Sequence, residues 1–111
     1  RLVGPGMAKQ MVYTARNIKA DEALRIGLVN AVYPLAELYA AAEKLASQIA
    51  ANAPIAVRAA KKAINEGLDL PMDEAVVVEE KAFGSCFETA DQQEGMGAFL
   101  EKRKHEPFTN K

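Results

Sequence analysis

Ala20-Asp21-Glu22-Ala23-Leu24-Arg25-Ile26-Gly27-Leu28-Val29-Asn30-Ala31-Val32-Tyr33-Pro34 contains a helix, a helix stop and a strand candidate in immediate succession. Asp21 and Glu22 sit where carboxylates complement the positive end of a helix dipole. Gly27 is placed as the residue that closes the helix in a left-handed conformation. Leu28 to Tyr33 is the best strand candidate in the chain, and Pro34 stops it. One strand of about six residues cannot build a sheet, so the segment either pairs outside these residues or serves as an extended connector. With β-branched residues clustered in only two places, here and at Val76-Val77-Val78, the expected class is mainly α, with five to six helices and one short strand.

The flanking sequence supports that class. A first helix is expected to open at Gly4-Pro5-Gly6, with Pro5 near N1, where its missing N–H costs nothing. Met7 and Met11 then share one face. Leu38, Ala42, Leu45 and Ile49 mark a helix from about Leu35 to Ala51 by their 4-3-4 spacing. Asn52-Ala53-Pro54 breaks it, and a further helix runs from about Pro54 to Glu66, with Gly67 expected to end it. Lys61 and Lys62 on that helix are read as facing water.

Pro71 opens a longer helix. The run Val76-Val77-Val78 is β-prone, but Glu79, Glu80, Lys81 and Ala82 after it favour helix. Thr89 to Gln92 has capping-box spacing for a last helix. Glu101-Lys102-Arg103-Lys104 is expected in the final turns of that helix, where basic residues suit the dipole. Pro107 limits continuation, and Phe108 is placed to fold back as an anchor.

Composition narrows the function classes. The chain has 111 residues, 50% hydrophobic and 26% charged, with a formal net charge of −1. Fourteen basic residues against fifteen acidic ones make no dense cationic surface for nucleic acid. The lone cysteine, Cys86, excludes an internal disulfide framework and fits a reducing cytoplasm. No apolar run approaches the roughly 20 residues of a membrane span. Arg1-Leu2-Val3-Gly4 reads as neither an initiator start nor a secretory signal, so the chain is expected to be part of something longer.

No motif supplies catalytic apparatus. His105, the only histidine, lies in a charged tail and reads as a solvated surface residue. Cys86 and His105 are too few for a metal site, and Cys86 reads as a small packing residue. Glu43, Glu79 and Glu80 fall where solvated helix faces are expected, with no sign of a paired acid and base. Gly4-x-Gly6 lacks the preceding strand and the third glycine of a dinucleotide loop. Phe83 and Phe99 are either core rings or ligand contacts. Lys102-Arg103-Lys104 is either a solvated helix end or a phosphate contact.

Three segments together carry a family resemblance. Gly4 to Ala8 followed by Ala20 to Val32 resembles the "A-x-E-A-x-x-x-G-L-V-N-x-V" segment of the enoyl-CoA hydratase (crotonase) family. Asn52-Ala53-Pro54-Ile55-Ala56-Val57 is similar to the start of that family's next helix. Thr89 to Lys104 resembles its terminal "D-x-x-E-G-x-x-A-F-x-E-K-R" signature, although Ala90 and Gln93 stand where the family commonly has charge. The match runs from residue 1 to 108 in the right order. Phe83-Gly84-Ser85-Cys86-Phe87-Glu88-Thr89 brings it nearest to the short-chain bacterial crotonases, the 3-hydroxybutyryl-CoA dehydratases.

The resemblance implies that residues 1–111 are the C-terminal helical and oligomerisation region of a crotonase-type enzyme. The β/α catalytic core, with its two glutamates and oxyanion-holding N–H groups, would then lie upstream. No residue of this chain inherits a catalytic role, and the chain alone is expected to be inactive. The parent reaction would be reversible hydration of a short trans-2-enoyl-CoA such as crotonyl-CoA. It would need no metal or redox cofactor, because the CoA thioester is itself the substrate.

Three substrate-binding residues are implied: Phe83 in the acyl pocket, and Phe99 and Lys102 near the adenine and 3′-phosphate of CoA, typically on a neighbouring subunit. The implied partner is a second copy of the chain, as a trimer or hexamer in the parent and by self-association or swapping in the fragment. The rivals are another crotonase-superfamily activity, such as an enoyl-CoA isomerase, and a stand-alone helical oligomerisation module.

Overall fold

A computed structural model describes residues 1–111. Its regular structure is six helices: α1 (Gly4–Thr14), α2 (Ala20–Arg25), α3 (Leu35–Ala50), α4 (Pro54–Gly67), α5 (Met72–Cys86) and α6 (Ala90–Leu100). The chain is thus all helical between its loops. It divides into two units, Arg1–Glu43 and Lys44–Lys111, with the boundary inside α3.

In the first unit, α1 carries Pro5 in its first turn, as its fixed φ favours, and ends at Ala15 in the left-handed region (φ 48°). The link to α2 is tied by Arg16, whose two terminal nitrogens donate to the Glu22 carboxylate at 2.6 and 2.8 Å. Those hydrogen bonds, against the desolvation that opposes them, hold the Glu22 carboxyl below the ordinary glutamate range.

Gly27, at φ 75°, closes α2 as expected. Its N–H donates to the Leu24 carbonyl at 3.1 Å, and the Leu28 N–H reaches back to Ala23 at 2.9 Å. That pair of bonds is a Schellman closure. It also explains why the expected strand does not form. The N–H groups of Leu28 and Val29 both turn back onto the Ala23 carbonyl, so residues 28–30 bend rather than extend. Residues 31–34 run on without a ladder partner, and β-branched residues make no strand without one.

In the second unit, α4 and α5 pack side by side. The small residues Ala56, Ala60, Ala63 and Gly67 recur at helical spacing along α4. Gly67 does not cap the helix in a left-handed turn: it is the last residue of α4, and Leu68 follows in right-handed geometry. A Cβ there would lie 3.4 Å from the Ala75 Cβ of α5, an ordinary van der Waals contact. Lys62 faces outward, 3.9 Å from Glu66 one turn on. Val76, Val77 and Val78 are helical within α5.

Thr89 caps α6: its Oγ1 accepts the Gln92 N–H at 3.1 Å. The reciprocal half of a capping box is not made, because the Thr89 N–H donates to Cys86 instead. The basic run does not lie in the last turns of α6. The helix stops at Leu100, Glu101 is its C-cap, and Lys102 adopts φ 54°. The Lys102 N–H donates to Phe99 at 3.2 Å and the Arg103 N–H to Ala98 at 3.0 Å, a second Schellman closure with lysine where glycine is usual. Beyond it the tail folds back along α6, and Phe108 lies over Gly95 with ring atoms 3.6 and 3.7 Å from where a Cβ would stand.

Little of this surface is sealed. Ala23 and Ala98 are the buried hydrophobic residues, and no large side chain is fully buried. Leu35 and Tyr39 on α3 are 88% and 79% exposed.

Candidate functional site

The seam between α4 and α5 opens into a groove of about 710 Å³, continued by the loop before α6 and by Gln92 and Met96 on α6 itself. Its floor is methyl groups: Ala56, Ala60 and Ala63 from α4, Ala75 and Ala82 from α5. Larger groups stand on both sides, Ile64 and Leu68 at the end of α4 and Met72, Val76 and Phe83 at helical spacing on α5. The Phe83 ring is 66% exposed and meets the Phe87 ring edge-on, with centroids 5.1 Å apart and planes at 73°. A groove of this composition suits an apolar chain, and its lining holds no pair of acidic and basic side chains.

Cys86 lines the same groove, half-buried, with its Sγ 3.3 Å from the Ala82 carbonyl. That is the packing role expected of it. Glu79 was read as solvated, and it is exposed, but it also stands on the groove wall as its only carboxylate. Helical spacing from Ala75, Ala82 and Phe83 places it there, a signal that was available in the sequence.

Of the three candidate binding residues, the structure places only Phe83 on the groove. Phe99, 77% exposed on the last turn of α6, does not line it. Neither does Lys102, exposed in the closing turn two residues past Leu100. Phe99 and Lys102 are joined directly through the backbone by the 3.2 Å bond from the Lys102 N–H to the Phe99 carbonyl. The two therefore form a second locus, a ring and a cation on one exposed helix end.

Sequence reasoning missed what holds that end. Arg103 donates through Nη1 and Nη2 to the two Glu94 oxygens, at 2.6 and 3.1 Å, and through Nε to Glu101 at 2.6 Å. The Glu94 carboxylate also accepts the Glu106 N–H at 2.8 Å. The Arg103 bonds, then that N–H, hold the Glu94 carboxyl down to about 2 against the desolvation that opposes them. The same carboxylates raise the Arg103 guanidinium above its already high value.

One turn earlier, Asp91 is 3% exposed. Burial pushes its carboxyl up, but bonds from the Thr109 N–H, the Asn110 N–H and the Thr109 hydroxyl outweigh it and hold the group below the ordinary aspartate range. The Ala90 N–H at the start of α6 donates to the Lys111 carbonyl at 2.8 Å, and Arg58 of α4 donates to the Asn110 side chain at 2.7 Å. His105 stacks on Phe108 within the tail, with centroids 4.3 Å apart.

Comparison with known proteins places this arrangement. The family described as enoyl-CoA hydratase/isomerase matches residues 1–111. The chain is 56% identical over 111 residues to the short-chain-enoyl-CoA hydratase of Clostridium acetobutylicum, covering 100% of this chain and 42% of that protein. It is 57% identical over 104 residues to the crotonyl-CoA hydratase of Syntrophomonas wolfei, covering 94% of this chain and 40% of that protein. A crystal structure of enoyl-CoA hydratase from Bacillus anthracis superposes with a TM-score of 0.94 at 40% identity, over 100% of this chain and 43% of that one. The chain thus spans about two fifths of the length of these relatives. With the family matched from the first residue to the last, the chain belongs to the enoyl-CoA hydratase/isomerase family.

Proposed function

We propose that residues 1–111 are the C-terminal helical region of an enoyl-CoA hydratase that adds water reversibly to short trans-2-enoyl-CoA thioesters such as crotonyl-CoA. The observation that carries this reading is the identity of 56% and 57% to proteins named short-chain-enoyl-CoA and crotonyl-CoA hydratase. The catalytic glutamates and the β/α core belong to the remainder of such a protein, and no metal or redox cofactor enters the reaction.

On this reading the apolar groove headed by Phe83 contributes to the acyl pocket. Phe99 and Lys102 meet the adenine and the 3′-phosphate of CoA, where a lysine acts as a compact point charge. The exposed apolar helix faces are covered by the catalytic core and by neighbouring copies in a trimer or hexamer. No helix is long and apolar enough to cross a membrane; the proposed compartment is the cytoplasm.

The test is hydration of crotonyl-CoA by the longer protein that carries this segment, followed as loss of the enoyl thioester absorbance. Conversion to 3-hydroxybutyryl-CoA is the expected result. Isomerisation of a 3-enoyl-CoA with no hydration of crotonyl-CoA would overturn the reading.

A further inference from the structure

We propose that Arg103 is a positioning residue for Lys102: by taking up Glu94 and Glu101 it leaves the Lys102 ammonium unpaired and available to the phosphate of CoA. The proposal rests on the reading of Lys102 given above and adds to it the device that makes the lysine available.

The same backbone closure ends two helices of this chain. At α2 the left-handed position is Gly27, at φ 75°, and at α6 it is Lys102, at φ 54°. A residue with a Cβ is disfavoured there, and its backbone bonds to Phe99 and Ala98 show that the turn is fully formed all the same. The closure fixes the direction in which residue 102 leaves the helix.

Charge is sorted around it. Glu101, the residue beside Lys102, is bound by Arg103 Nε at 2.6 Å. Glu94 is held on both oxygens by Arg103 and on one by the Glu106 N–H. Arg103 is thus engaged on every side of its planar fork, the geometry for which guanidinium is suited and ammonium is not. Lys102 forms no ion pair in the chain. Without Arg103, the carboxylate of the adjacent Glu101 would be free to pair with Lys102, and an ammonium paired there is a poorer phosphate ligand.

The experiment uses the longer protein, with crotonyl-CoA and its 3′-dephospho analogue as paired substrates. Lys102→Met should abolish the preference for the 3′-phosphorylated thioester. Arg103→Gln should raise KM for crotonyl-CoA about fivefold, leave KM for the dephospho analogue unchanged, and keep kcat within about twofold. Glu101→Gln added to Arg103→Gln should restore KM, because the competing carboxylate is gone. Should Arg103→Gln fail to fold, Arg103→Lys should give an intermediate KM on crotonyl-CoA alone.

An equal rise in KM on both thioesters, or no rescue by Glu101→Gln, would mean that Arg103 merely braces the tail and would overturn the proposal. If Lys102→Met abolishes the preference but Arg103→Gln and Arg103→Lys leave KM unaltered, the proposal alone fails. If Lys102→Met leaves the preference intact, the phosphate reading of Lys102 fails and takes the proposal with it.

Discussion

A single oxygen of Asp91, in the first turn of α6, accepts both the backbone N–H and the hydroxyl of Thr109, at 2.6 and 3.1 Å. The other oxygen takes the Asn110 N–H at 2.8 Å. A buried carboxylate thus helps to dock the C-terminal segment, beside the packing of Phe108 over Gly95.

Asp91→Asn replaces one of those acceptors with a donor that faces another donor. The tail should come loose while α6 persists. Hydrogen exchange at the Thr109 and Asn110 amides should speed up about tenfold, and amides in the middle of α5 should not change. Unaltered protection at 109 and 110 would show that the latch lies elsewhere.

The same latch should fail in acid. Glu94 titrates at about 2 in the folded chain against an ordinary value of 4.5, and Asp91 is also lowered. A folded value below the unfolded one stabilises the docked tail above the unfolded value, and that contribution is lost as pH falls toward the folded one. Docking should weaken from about pH 4.5 down to about 2, read from the amide shifts of Glu106, Thr109 and Asn110. Indifference of those amides to pH in that window would contradict the assignment.

Two left-handed positions should respond oppositely to substitution. Gly27→Ala introduces a Cβ at φ 75° with open space around it, so its cost is backbone strain of about 1 kcal/mol. Lys102→Gly should stabilise by roughly 0.5–1 kcal/mol at φ 54°. Urea denaturation measures both. The Lys102→Gly variant should gain stability while losing the preference for the 3′-phosphorylated thioester.

The 111-residue chain by itself should self-associate. Leu35, Tyr39, Phe83 and Phe99 are all more than half exposed, and no large side chain is fully buried. Exposed apolar faces of this kind associate in water. Light scattering at micromolar concentration should report species larger than 12.0 kDa, and a clean monomer would count against it.

What could be read in the sequence was the local chemistry. Pro5, Gly27 and the Thr89 cap act within four residues of themselves, and each sits where its chemistry places it. Phe108 was also legible as an anchor, and its ring does lie over Gly95. The strand at residues 28–33 was not. β-branched residues state what a segment would do if offered a partner, and here the first two N–H groups are already spent on Ala23.

The end of α6 was misplaced because a lysine occupies a turn that normally announces itself with glycine. The Asp91 and Glu94 latches escaped notice for a different reason. Their partners lie 9 to 19 positions downstream, where no periodicity points. The groove itself follows from the alanine spacing of α4, but its link to a thioester came only through the family resemblance.

A wall of methyl groups has no rotamers. Ala56, Ala60, Ala63, Ala75 and Ala82 can yield to a bulkier guest only if α4 and α5 shift as whole rods. The groove therefore has a fixed floor, and the parts of its lining that can move are the longer side chains, Ile64, Leu68, Met72, Phe83, Phe87 and Met96. Any guest of greater girth would have to be fitted by the rotamers of those side chains.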